Sequence, residues 1–131
     1  MDFRLHLRDE FGRRVSRNRR YSMRAFARSL SVHHATLVRG LAGERGFSRA
    51  LVRRLAVRLG LTPVEIDAAL ASEDARKVLQ AAAAPNFRAD CRWIAMNTGI
   101  DVDDVNRALH LLIHERRLIM SSTSTWTIVG Q

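Results

Sequence analysis

His33, His34, Thr36 and Arg39 fall within one short stretch of the chain, and together they carry ring nitrogens, a hydroxyl and a guanidinium. Such groups hydrogen-bond to the exposed edges of bases, while Ala35 and Val38 between them offer the small apolar surface that meets a thymine methyl. Around this stretch stand donors suited to phosphate oxygens: Arg19, Arg20, Ser22, Arg24, Arg28, Arg45, Ser48 and Arg49.

The same residues offer little to other chemistries. Adjacent histidines on a helix point about 100° apart, and no nearby carboxylate or thiolate completes a zinc shell around His33 and His34. His110 and His114 lie four apart and could share one ligand, but histidines on a helix surface are the plainer explanation. No Ser/His/Asp or Cys/His set, carboxylate pair or phosphate-cradling glycine loop stands out, so the expectation is a protein without catalysis, metal or cofactor. Cys91 beside Trp93 is expected to serve packing.

Charge sorts the chain into two halves. Its formal net charge is +9. Residues 1–60 hold fifteen arginines against Asp2, Asp9, Glu10 and Glu44, whereas the remainder holds seven basic residues against nine acids. A field of that sign attracts a polyanion, and nucleic acid is the commonest one in a cell. The plainer account, a solvated arginine surface, draws support from Lys77 being the sole lysine.

Periodicity supplies the elements that would position these groups. Phe3, Leu7, Phe11 and Val15 recur every four residues, the stripe of a first helix ending near Ser16 to Arg20. Ser22 is an N-cap ahead of Met23 to Leu30, and after a tight Ser31-Val32 connection a short helix runs from about His33 to Leu41. Gly43 and Gly46 interrupt the chain. Ser48 caps a further helix with Leu51, Val52, Leu55, Ala56 and Leu59 as its stripe, and Gly60 ends it.

Thr62-Pro63-Val64-Glu65 has the pattern of a capping box with proline at the first helical position, opening an alanine-rich helix that runs toward Ala84. Then come a short helix at about Asp90 to Asn97, a turn at Thr98-Gly99, and a helix from about Val102 to Arg116. A β-hairpin of Leu118 to Met120 with Thr125 to Val129 closes the chain across the polar Ser121 to Ser124. Helix, turn, helix and hairpin is the order of a winged helix. The expected fold is therefore mainly α: a helix-turn-helix unit over residues 1–61, a linker helix over 62–85, and a winged-helix-like unit over 86–131.

A helix-turn-helix requires a small residue where its helices touch, a turn-tolerant residue four later, an apolar residue next, and an apolar plug five further on. Ala27, Ser31, Val32 and Leu37 meet this pattern, and so do Ala95, Gly99, Ile100 and Val105 at identical spacing. The leading turns of the two second helices differ in charge. One is His33-His34-Ala35-Thr36; the other is Asp101-Val102-Asp103-Asp104. At an effective dielectric constant of about 20, each like-charge contact at about 4 Å costs on the order of 4 kcal/mol before screening. Only the first unit is expected to read DNA through that turn.

The first unit resembles the Cro/repressor-like helix-turn-helix group in Ser22, Phe26-Ala27, Ser31-Val32 and Leu37. It departs at Ser31, where that group often has glycine, and at Gly40 inside the second helix, which costs about 1 kcal/mol relative to alanine. Most of the chain resembles a poorly characterised bacterial family of two-part regulators, in which a Cro-like unit precedes a winged-helix-like domain of unknown function. That likeness rests on Asp2-Phe3 with Leu7-Arg8-Asp9, on Arg19-Arg20-Tyr21-Ser22 leading into Ala25-Phe26-Ala27-Arg28, on Gly43-Glu44-Arg45-Gly46-Phe47-Ser48, and on Asp90 with Trp93-Ile94-Ala95. The resemblance implies DNA binding and transcriptional control. It brings no catalytic activity.

One reading helix touches few base pairs, so a two-fold dimer on double-stranded DNA is expected. Trp126, Ile128 and Val129, or the alanine-rich helix, would supply the apolar contact. The competing expectation is a non-catalytic adaptor or antitoxin-like module whose basic face binds an acidic protein. RNA binding is weakened by the single tyrosine and the lack of an aromatic platform for stacking unpaired bases. One cysteine, no apolar run of membrane length and no secretory core near Met1 point to a cytoplasmic, nucleoid-associated protein without a small-molecule substrate.

Overall fold

The computed structural model describes residues 1–44, 46–122 and 125–129. Among these, seven helices precede one small hairpin: α1 Phe3–Arg17, α2 Met23–Ser29, α3 His34–Ala42, α4 Arg49–Arg58, α5 Pro63–Ala82, α6 Cys91–Thr98 and α7 Val102–His114, then β1 Leu118–Met120 and β2 Trp126–Ile128. The chain divides into two compact units, Met1–Leu70 and Ala71–Gln131.

Side-chain oxygens mark where the helices start. Asp2 accepts from the amides of Arg4 and Leu5 at 3.1 and 3.3 Å, Ser22 from Ala25 at 3.1 Å, Ser48 from Leu51 at 3.1 Å, and Asp90 from Arg92 at 2.9 Å. Each cap fills an amide the helix leaves unpaired and is worth about 1 kcal/mol. The box at α5 is reciprocal: the Glu65 amide donates to Thr62 Oγ1 at 3.2 Å, and the Thr62 amide donates to the Glu65 carboxylate at 3.0 Å. α5 stops at Ala82, short of Ala84, because the residue before Pro85 is pushed out of the helical region. Its buried apolar residues divide between two clusters, Ala69 and Leu70 belonging to the first core and Ala75 and Val78 to the second.

In the first unit α1 buries Phe3 and Leu7, and Phe11 meets Phe26 at 5.4 Å between ring centroids. α3 buries only Leu37, Gly40 and Leu41, one edge at helical spacing. Gly40 has a packing reason that propensity alone does not reveal. A methyl group there would overlap the Phe47 ring, which is 1% exposed and meets Phe3 edge to face at 6.2 Å.

Several arginines of this unit hold the fold. Arg8 donates to the Leu41 carbonyl. Arg14 donates to the Tyr21 hydroxyl at 3.1 Å, to Ser29 Oγ at 2.7 Å and to Glu10 at 3.1 Å, and its guanidinium lies over the Phe26 ring. Arg13 also donates to Glu10, and this bond is the largest cause holding the Glu10 carboxyl below the ordinary glutamate value, against the opposing effect of burial.

The second unit packs α6, α7 and the hairpin around Ile94, Ile100, Val105, Ala108, Leu112 and Leu118. The strands pair antiparallel with Leu118 opposite Ile128, Ile119 opposite Thr127 and Met120 opposite Trp126. Phe87 meets Trp93 at 5.7 Å and Trp126 at 5.6 Å, and Cys91 Sγ donates to Asn106 Oδ1 at 3.3 Å. Of the three hairpin residues expected to offer a dimer contact, Trp126 and Ile128 are partly buried against their own unit's core, and Val129 is 49% exposed.

Gly40→Ala should lower stability by about 1–3 kcal/mol, because the overlap with Phe47 outweighs the gain in helix propensity. Urea unfolding followed by circular dichroism checks this; a gain of stability would remove the packing account. A second expectation concerns acid. The Glu65 carboxyl is held below the ordinary glutamate value by the Thr62 amide first and the Thr62 hydroxyl next, and Glu10 is lowered as well. A carboxyl lowered in the folded state stabilises above its unfolded pKa, and the contribution disappears as pH falls through the folded value. The double variant Glu10→Gln/Glu65→Gln should therefore show a flatter fall of Tm between about pH 5 and 3 than the parent chain.

Candidate nucleic-acid interface

The connection between α2 and α3 is closed by two backbone bonds. The Val32 amide donates to the Ala27 carbonyl at 3.0 Å and the Ser31 amide to the Arg28 carbonyl at 3.1 Å, the paired bonds of a Schellman motif. That motif needs a left-handed residue, and Ser31 takes it with φ 55°. A non-glycine residue there costs roughly 1–2 kcal/mol. Arg54 steadies the turn by donating to the Ser31 carbonyl at 2.8 Å. At the matching position of the second unit Gly99 has φ 73°, its amide donates to the Ala95 carbonyl at 3.0 Å, and the Ile100 amide donates to Thr98 Oγ1 at 3.3 Å. The equal spacing seen in the sequence thus produces left-handed residues at both positions, with different closures.

Leu37 and Val105 are fully buried in their respective units. With α3 held by Leu37, Gly40 and Leu41, Ala35 and Arg39 fall four apart on the opposite face, and both are exposed. His33 and Val38 are exposed too, while His34 and Thr36 lie at the flanks and are partly buried. α3 begins at His34 rather than His33. His33 is its N-cap and makes no side-chain capping bond, so no side chain fills the leading amides of this helix from the cap position.

The expected phosphate donors all belong to the same unit. Arg19, Arg20, Ser22, Arg24, Arg28 and Ser48 are exposed and Arg49 is partly buried; Arg45 lies outside the described residues. Among the described residues the guanidinium groups of Arg19, Arg20, Arg24, Arg28 and Arg39 form no salt bridge. Ser22 and Ser48 have a double use, since each Oγ accepts the capping bond and keeps its own O–H to donate. Periodicity alone could not separate these outward arginines from Arg8, Arg14 and Arg54, which are tied to carbonyls and hydroxyls by bonds spanning 33, 15 and 23 positions in sequence.

No known protein family, curated protein or solved structure matches this chain.

The leading turn of α7 contrasts with that of α3. Asp101 caps the helix by accepting from the Asp103 amide at 3.0 Å, and Asp103 and Asp104 occupy its first turn. Carboxylates there favour the positive end of the helix dipole and repel an anionic groove. The first turn of α3 has no acidic residue. Among the described residues no group of three or more histidines, cysteines or acids gathers into a metal site.

Replacing Ser31 by glycine should raise stability by up to about 1 kcal/mol through relief of the left-handed conformation, and Ser31→Val should lower it by about 1–3 kcal/mol. Thermal melts of both variants check this. Equal Tm values across the pair would show that the turn stores no strain.

Proposed function

We propose that the first unit is a Cro/repressor-like helix-turn-helix that binds double-stranded DNA, with α3 entering the major groove. On this proposal His33, His34, Ala35, Thr36, Val38 and Arg39 meet base edges, and Ser22, Arg24, Arg28, Ser48 and Arg49 hold the backbone, with Arg19 and Arg20 on a neighbouring phosphate. The observation that carries it is the orientation of α3: its one apolar edge is buried, and the exposed face opposite presents Ala35 and Arg39 in a unit with a large excess of arginine. The chain acts by binding and not by catalysis, as a dimeric transcriptional regulator of the two-part bacterial kind it resembles, associated with the nucleoid. The second unit takes a winged-helix arrangement that does not use its acidic leading turn on DNA. Among the described residues no helix is long and apolar enough to cross a membrane.

Selection from a pool of random duplexes tests this directly. A palindromic motif with half-sites about one helical turn apart is the expected product; enrichment of no sequence would end the proposal. For the residues themselves, His34→Ala and Arg39→Ala should each cost about 1–3 kcal/mol of discrimination between the selected site and random duplex, while the salt-dependent background binding persists. An adaptor for an acidic protein would be indifferent to both changes.

A further inference from the structure

Beside the α2–α3 turn lies a concavity of about 280 Å³ lined by Ser31, Arg53, Arg54, Val57 and Arg58. Its four α4 residues are spaced so that they share one face, the face turned away from the buried Val52, Leu55 and Ala56. None of the three arginines belongs to a salt bridge among the described residues. Arg54 spends one donor on the Ser31 carbonyl. Val57 is 64% exposed and adds apolar surface to the lining.

The fold uses two of these arginines, Arg54 through the Ser31 carbonyl and Arg58 at the negative end of the helix dipole, and gives Arg53 beside them no such role. Arg54 and Arg58, four apart, repel one another along the helix. The negative end of the helix dipole accounts for a cation such as Arg58 in the last turn, but not for three arginines around one hollow. An anion held between them would relieve the repulsion.

We infer that this concavity is a binding site for a phosphate ester. The planar fork of arginine matches phosphate oxygens, and Val57 with the arginine methylenes offers a surface for the carbon part of an ester. The volume is several times the roughly 30 Å³ a water occupies, so a phosphate group can enter it. The ester is either a backbone phosphate of duplex DNA flanking the segment met by α3, which rests on the function proposed above, or a free phosphorylated small molecule, which does not.

The test uses the full chain labelled with nitrogen-15. Inorganic phosphate and adenosine monophosphate are titrated separately at constant ionic strength, with chloride as the balancing anion. Saturable shifts centred on the amides of Ser31, Arg54, Val57 and Arg58 are expected, with the monophosphate binding more tightly than inorganic phosphate. The exposed double variant Arg53→Gln/Arg58→Gln should bind at least tenfold more weakly while its other resonances stay in place. Shifts spread evenly over every arginine-bearing helix, no saturation, or unchanged binding by the double variant would each overturn the inference.

Binding of a random-sequence duplex identifies the source. If the ester is a backbone phosphate, the slope of log Kobs against log salt should fall in magnitude by about 1 in the double variant, one phosphate contact being lost. An unchanged slope with lost monophosphate binding assigns the site to a free ester. If the parent chain ignores duplexes yet titrates with the monophosphate, the DNA proposal fails and the site stands.

Discussion

α3 is held by a single edge. Nine residues long, it is too short to persist alone in water, and the burial of Leu37, Gly40 and Leu41 is what fixes it to the first unit. Its rotation about its own axis follows from that edge, and so does the identity of every side chain it presents outward. Gly40 makes the contact close. The Phe47 ring occupies the space where any other residue would carry a Cβ, and Phe3 braces that ring from the side. The packing of α3 and the face it presents outward are therefore set by the same few positions.

The electrostatic difference between the two units is local as well as global. Both have a left-handed residue four positions after a small one and a fully buried plug five positions after the next apolar residue. What differs is the chemistry at the start of the helix that follows. Asp101, Asp103 and Asp104 serve the dipole of α7, whereas His33 leaves the α3 start without a side-chain cap. The first arrangement stabilises its own helix. The second leaves amides for an external acceptor.

Much of the fold was legible in the sequence because it rests on short-range chemistry. Ser22, Ser48, Asp90 and the Thr62–Glu65 box act within three residues of themselves, and Gly43, Gly60 and Gly99 sit at the left-handed ends of helices, as their positions after apolar runs imply. The hairpin pairs the two strand-like segments that a polar run separates in the sequence. Long-range contacts were not legible. Nothing near Gly40 announces Phe47, and no local pattern tells Arg8, bound to the Leu41 carbonyl, from an arginine that faces solvent. Trp126 and Ile128 look like free wing surface until Phe87 and the rest of the second core are in place. Spacing alone gives the outward set on α3, and its partition into exposed and flanking residues depends on how the helix packs.

A two-stranded ribbon has two outer edges, each a row of backbone groups onto which another chain can zip, and such edges seed aggregation when they are long, flat and apolar. The ribbon here exposes Ile119 and Met120, yet each strand is only three residues long. So short a template offers an intruding chain few ladder bonds. Brevity thus limits how far this ribbon can template another strand, even though it carries apolar side chains in the open.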